Sequence, residues 1–101
     1  MDRANTMTRK SFLKRLRFVL GELRKKVSHS DSPKAVEWII GELEAASQKL
    51  KLGMPSLRER KRAWTFVSYV LSDCDIGDTP FGSQVAELME EYVRLKPTTR
   101  K

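Results

Sequence analysis

The chain has 101 residues, with 20 Lys and Arg against 13 Asp and Glu, and therefore a formal charge of +7; 40% of it is hydrophobic. That length fits one domain, and the apolar fraction is enough for one modest core, which excludes wholesale disorder. The lone Cys74 excludes an intrachain disulfide or a cysteine-built zinc site.

No apolar run approaches the ~20 residues of a membrane span, and no signal peptide opens the chain. The expectation is a soluble intracellular protein, cytoplasmic or nuclear and not secreted, with no membrane partner. Residues 1–8 are polar and read as a flexible N-terminus. From Arg9 to Val27, Phe12, Leu16, Val19, Leu20, Leu23 and Val27 recur at spacings of three and four, which predicts an amphipathic helix with Thr8 as N-cap. Ser28 to Pro33 reads as a turn, with Ser32 capping a second helix and Pro33 in its first position. That helix runs over 33–50 on Val36, Ile39, Ile40, Leu43, Ala46 and Leu50, and Gly53-Met54-Pro55 stops it.

Ser56 and Glu59 form a capping box at the start of a third helix over 57–72. Its apolar set, Leu57, Ala63, Trp64, Phe66, Val67, Val70 and Leu71, covers almost half the wheel and predicts the most buried helix of the four. A strand over Trp64–Leu71 is the competing reading, which the charged start of the segment disfavours. After an acidic loop, Thr79-Pro80 or Ser83 begins a fourth helix over 80–96, lined by Val85, Leu88, Met89, Tyr92 and Leu95. Residues 97–101 read as a flexible basic tail. The fold class is all-α, a compact bundle of four helices forming a single domain over 9–96.

The charge is unevenly spread. Arg9 to Lys26 holds eight basic residues and one acid, Arg58-Glu59-Arg60-Lys61-Arg62 adds +3, and Asp73, Asp75 and Asp78 oppose them. On the first helix Lys10, Lys14, Arg17, Arg24 and Lys25 fall on the solvent side; on the third, Arg58, Lys61 and Arg62 share a face with Thr65 and Tyr69. If the two faces align, they form one basic surface suited to phosphates, whose neutralisation releases counterions. That predicts a non-enzymatic protein binding RNA or DNA with little sequence specificity, in a regulatory or sequestering role. Solvated charged helix faces are common, and they are the bland reading of the same residues. A basic first helix lying on an anionic membrane is disfavoured because its apolar stripe is needed in the bundle.

Lys14 to Leu23 also resembles Lys34 to Leu43 twenty residues on, with four identical positions. The echo places Phe18 and Gly21 on the side of the first helix away from the core, and Trp38, Gly41 and Ala45 in the matching sector of the second. Three readings stay open. The third and fourth helices cover Phe18 and Trp38; or Trp38, Gly41 and Ala45 meet a symmetry mate in a homodimer; or these residues form a groove for a protein or nucleic acid; a homodimer is the expected assembly. The alternative function is accordingly that of an adaptor or inhibitor of another protein. Small basic helical chains of this sort also occur among viral and phage accessory proteins.

Other motifs carry less. Leu52-Gly53-Met54-Pro55-Ser56 is similar to the turn of a helix-turn-helix reader, but Lys49 and Glu59 stand where small and buried residues belong. Asp73-Cys74-Asp75-Ile76-Gly77-Asp78 fails as a calcium loop, with Asp78 and Gln84 at the positions of the required Gly and Glu. Arg60-Lys61-Arg62 is compatible with a nuclear import signal, a run too common to weigh. His29 is the sole histidine, and aspartates flank Cys74, which predicts a raised thiol pKa. No catalytic residue, metal ligand set or cofactor fingerprint is found, so neither enzymatic activity nor a cofactor is expected.

Overall fold

The computed structural model describes residues 8–95. Helix α1 (Arg9–Lys26) runs into a 3-10 turn (Val27–His29), followed by α2 (Pro33–Leu52), α3 (Leu57–Ser72), a second 3-10 turn (Asp75–Asp78) and α4 (Pro80–Arg94). The described residues contain no strand, so the protein is a small all-α bundle. The predicted flexible ends, 1–8 and 97–101, lie outside the described residues except for Thr8.

Thr8 is fixed, because its hydroxyl accepts from the Ser11 N–H at 3.0 Å. The Ser56–Glu59 capping box forms in both directions, at 3.1 and 3.3 Å. Thr79 starts α4, its hydroxyl accepting from the Gly82 N–H at 3.1 Å. Ser32 does not cap α2: its hydroxyl makes no capping bond, and its own N–H donates to the Ser30 hydroxyl at 2.9 Å. Boundaries shift by small amounts. Val27 leaves α1 for the 3-10 turn, Lys51 and Leu52 prolong α2 until Gly53, and α4 ends at Arg94.

Each helix packs on two neighbours: α1 on α2 and α4, and α3 on the same pair, so that α1 and α3 sit on a diagonal without contact. The predicted stripes of α1, α2 and α4 fill the core, with Val27 and Ile40 at its edge. Phe12 stacks on Tyr92 across the α1–α4 seam, ring centres 5.5 Å apart. Helix α3 departs from the prediction. Only Val67, Val70 and Leu71 of its apolar set are buried, while Leu57, Trp64 and Phe66 are exposed. It is not the most buried helix, because the flanks of its wide stripe stand over the grooves beside it instead of over the core.

Arg60 takes the vacated place. It is 5% exposed, the one buried charged side chain among the described residues. Its position follows from register, since Arg60, Ala63, Val67, Val70 and Leu71 share one face of the 3.6-residue wheel. The guanidinium donates to the carbonyl of Pro55 at 3.1 Å through Nε. Through Nη1 it donates to the carbonyls of Tyr92, Val93 and Leu95 at 3.1, 2.8 and 2.6 Å. No carboxylate among the described residues pairs with it. Its counter-charge is the C-terminal end of α4, where unpaired carbonyls concentrate partial negative charge.

The α3–α4 connection closes through glycine and a carboxylate. A Cβ on Gly77 would strike the Leu71 carbonyl, and one on Gly82 the Ile76 carbonyl. Asp75 reaches across to the α1–α2 connection, accepting from the Ser30 hydroxyl at 2.6 Å and from the Asp31 N–H at 3.2 Å. The Ser30 hydroxyl is the main reason its carboxyl titrates below the ordinary aspartate range. Cys74 is buried beneath this loop, and burial, with a lesser contribution from Asp75, pushes its thiol up. The acidic segment is therefore a structural clasp between two connections.

Arg60→Met is expected to remove about 3 kcal/mol of stability in urea unfolding, since it leaves buried carbonyls without donors, and Arg60→Lys to recover part of the loss. The Tyr92 hydroxyl, held neutral chiefly by burial, is pushed up to about 12 from an ordinary value of 10. A group raised in the folded state favours folding below its unfolded pKa. The contribution of Tyr92 is thus full below pH 10 and lost as pH rises toward 12, a fall of about 2–3 kcal/mol. Tyr92→Phe should flatten that alkaline arm in a pH series of unfolding midpoints.

Candidate nucleic-acid interface

The basic residues of α1 sort by the direction in which the helix carries them. Arg24 turns to α2 and pairs with Glu44. Arg15 and Lys26 turn to α4, where Arg15 meets Glu87 at 3.5 Å and Lys26 lies 5.0 Å over the Phe81 ring. Lys10, Lys14, Arg17 and Lys25 point outward with Phe18 and Gly21, all within about 100° of the wheel at 100° per residue. Lys25 has a loose contact with Glu22 on its own helix at 3.4 Å. Lys10, Lys14 and Arg17 form no ion pair among the described residues. In their midst Phe18 is 62% exposed. From Lys10 to Lys25 the stripe is about 22 Å long at 1.5 Å per residue.

Arg58, Lys61 and Arg62 are exposed as predicted, but the structure does not bring them to the α1 stripe. With α1 and α3 on a diagonal, α2 and α4 intervene, and both carry acids. Arg62 lies along the α2–α3 groove with Glu42 and Glu59, and Lys61 along the α3–α4 groove with Glu90. The expected two-helix basic surface is therefore two separate patches. Arg60, counted with the α3 cluster in the sequence, contributes no charge to the surface.

The reading in which α3 and α4 cover Phe18 and Trp38 is overturned. Trp38 is 56% exposed, and at Gly21 and Gly41 an added Cβ would meet no atom within 4 Å. The mid-helix glycines therefore serve no close approach within the chain. Ala45 is exposed and lines the α2–α3 groove together with Phe66, and Tyr69, one turn along α3 from Phe66, is 70% exposed. The place of Phe66 beside Ala45 was missed in the sequence, where Phe66 read as core. Its wheel angle, about 90° from the centre of the buried stripe at 100° per residue, is the signal that marks it as a groove residue. A further depression of about 440 Å³ lies between α3 and α4, with Trp64 as its apolar wall and Lys61, Glu90 and Arg94 around it.

Among the described residues no three His, Cys, Asp or Glu side chains cluster as metal ligands, and no helix is long and apolar enough to cross a membrane. His29 is exposed in its turn, and Asp75 is engaged with Ser30. Since Gly21 stands in open space on α1, Gly21→Ala should raise stability by about 0.5–1 kcal/mol. Gly82→Ala, which drives a Cβ into the Ile76 carbonyl, should lower it; paired thermal unfolding curves check the opposite signs. Comparison with known proteins finds no family model, no curated protein and no solved structure that matches this chain.

Proposed function

We propose that the outward face of α1 binds the phosphate backbone of RNA or DNA with little sequence specificity, and that the protein acts by occupying or sequestering the strand. The observation that carries this reading is the stripe of Lys10, Lys14, Arg17 and Lys25, which stands clear of carboxylates from neighbouring helices. Arg15, Arg24 and Arg94 are paired with carboxylates, and Lys61 and Arg62 share their grooves with acids. A cation already neutralised by a carboxylate releases fewer counterions when it meets a phosphate, so unpaired lysines and arginines contribute most.

The stripe fits a backbone. Its length of about 22 Å matches the axial rise of six or seven base pairs at about 3.4 Å each. Because α1 is held in the bundle by Phe12, Leu16, Val19 and Leu23, its cations are presented from a rigid rod whose backbone needs no ordering on binding. Phe18 sets a flat apolar ring among them, a surface on which an unpaired base can stack. No hydrogen bond among the described residues holds the Arg17 guanidinium in place for a base edge, hence the expected indifference to sequence. Arg58, Lys61 and Arg62 serve as a weaker second patch on the far corner of the bundle.

A salt titration tests the reading. With four phosphate contacts on duplex DNA, log affinity should fall against log salt with a slope of about −3 to −4. Lys14→Glu with Arg17→Glu should abolish binding to duplex RNA, duplex DNA and single strands alike, while Arg58→Glu with Arg62→Glu weakens it less. Tight binding that ignores salt, or survives the α1 reversal, would sink the assignment.

A further inference from the structure

The outward stripe of α1 is not made of cations alone. Phe18 stands in its middle, 62% exposed, about 140° around the wheel from the centre of the buried stripe at 100° per residue. Lys14, Phe18, Gly21 and Lys25 follow one another at spacings of four, three and four residues, and so form one row along the helix. Lys14 and Lys25 lie about 16 Å apart along the axis at 1.5 Å per residue. Arg17 flanks the row on one side. On the other stands Glu22, which is drawn to Lys25 at 3.4 Å. Gly21 brings no side chain over the ring. From this row of cation, ring and cation we propose that the face takes single-stranded nucleic acid in preference to duplex, with an unpaired base stacked on Phe18. The proposal rests on the phosphate-binding reading above and names its substrate class.

A phosphate backbone alone has no use for a ring. In a duplex the faces of the bases are covered by their neighbours, and the surface offered to a helix is phosphate, sugar and base edges. A phenyl ring pressed on that surface gives up water and meets polar groups in exchange. In a single strand the bases can turn outward, and each then offers a flat apolar face. Stacking on an aromatic side chain adds affinity whatever the base, since every base has such a face. The indifference to sequence expected of the stripe is therefore kept, while a preference for strand over duplex is added.

The placement suits this division of roles. A strand lying along α1 meets Lys14 on one side of the ring and Lys25 on the other, with Lys10 and Arg17 close by. Ring and cations are carried by one helix whose opposite side is fixed in the core, so their backbone spacing is set before a strand arrives. The two phenylalanines of α1 differ in the same sense. Phe12 is fully buried and stacks on Tyr92. Among the described residues no aromatic ring of the chain stacks on Phe18.

The test measures binding of the full chain to oligo(dT), to a duplex of the same length and to an abasic deoxyribose-phosphate strand, each over a salt series. The expected result at physiological salt is tighter binding of oligo(dT) than of either of the others. Phe18→Ala should lower the ratio of oligo(dT) to duplex affinity about five-fold or more. The salt slope on oligo(dT) should stay at about −3, because stacking displaces no counterions. Phe18→Trp should restore or raise the ratio. Phe18 is exposed, so both variants should keep the helical circular dichroism of the parent. Three results would each overturn the preference and leave the phosphate-binding reading standing: a duplex bound as tightly as oligo(dT), an abasic strand bound as tightly as oligo(dT), or equal losses on strand and duplex in Phe18→Ala. Binding to none of the three probes would overturn both.

Discussion

The bundle turns on one side chain. Arg60 enters the core in register with Val67 and Leu71 and spends its donors on backbone carbonyls from the α2–α3 connection and from the last turn of α4. A buried cation without a carboxylate is ordinarily costly. Here the cost is offset because a helix C-terminus gathers unpaired carbonyls whose dipoles point the same way. The arrangement meets two needs together: the guanidinium gains a polar environment and α4 gains a cap at an end that lies against the core. It also fixes the relative position of α3 and α4, since the bonds to Pro55 and to Leu95 would lengthen if either helix slid.

That anchor reshapes the surface as well. Removing Arg60 from solvent lessens the basic character of α3, and the acids of α2 and α4 flank what remains. The α1 stripe keeps the cations Lys10, Lys14 and Arg17, which make no ion pair among the described residues. The faces thus differ in charge: α1 sets cations around one exposed ring, Phe18, whereas exposed rings along α2 and α3 stand among mixed charges. Helices packed as a ring make such a division possible, because each presents a different outer face and diagonal helices share none.

Much of this was legible in the sequence where periodicity speaks for packing. Leu16, Val19 and Leu23, or Leu88, Met89 and Tyr92, fall at helical spacing and are buried, and the Ser56–Glu59 and Thr79 caps form where hydroxyls precede the first turn. The misreadings share a cause. In α3 every apolar residue was taken as core, and Arg60 was counted in the basic run without being assigned to the core, yet burial follows wheel angle more closely than residue type. Trp64 and Phe66 lie to either side of the stripe and stay exposed, while Arg60 lies on it and is buried. The diagonal separation of α1 and α3 is a property of helix order around the bundle, which no local spacing encodes.

If α1 is to meet a polyanion, the protein must hold several like charges close together, and that repulsion opposes any association through the same side. The echo between α1 and α2 acquires a physical meaning from this division. The same outward sector, an aromatic ring beside a glycine, is surrounded by cations in α1 and by alanine and mixed charges in α2. The surroundings of the ring, more than the ring itself, decide which kind of surface each helix presents.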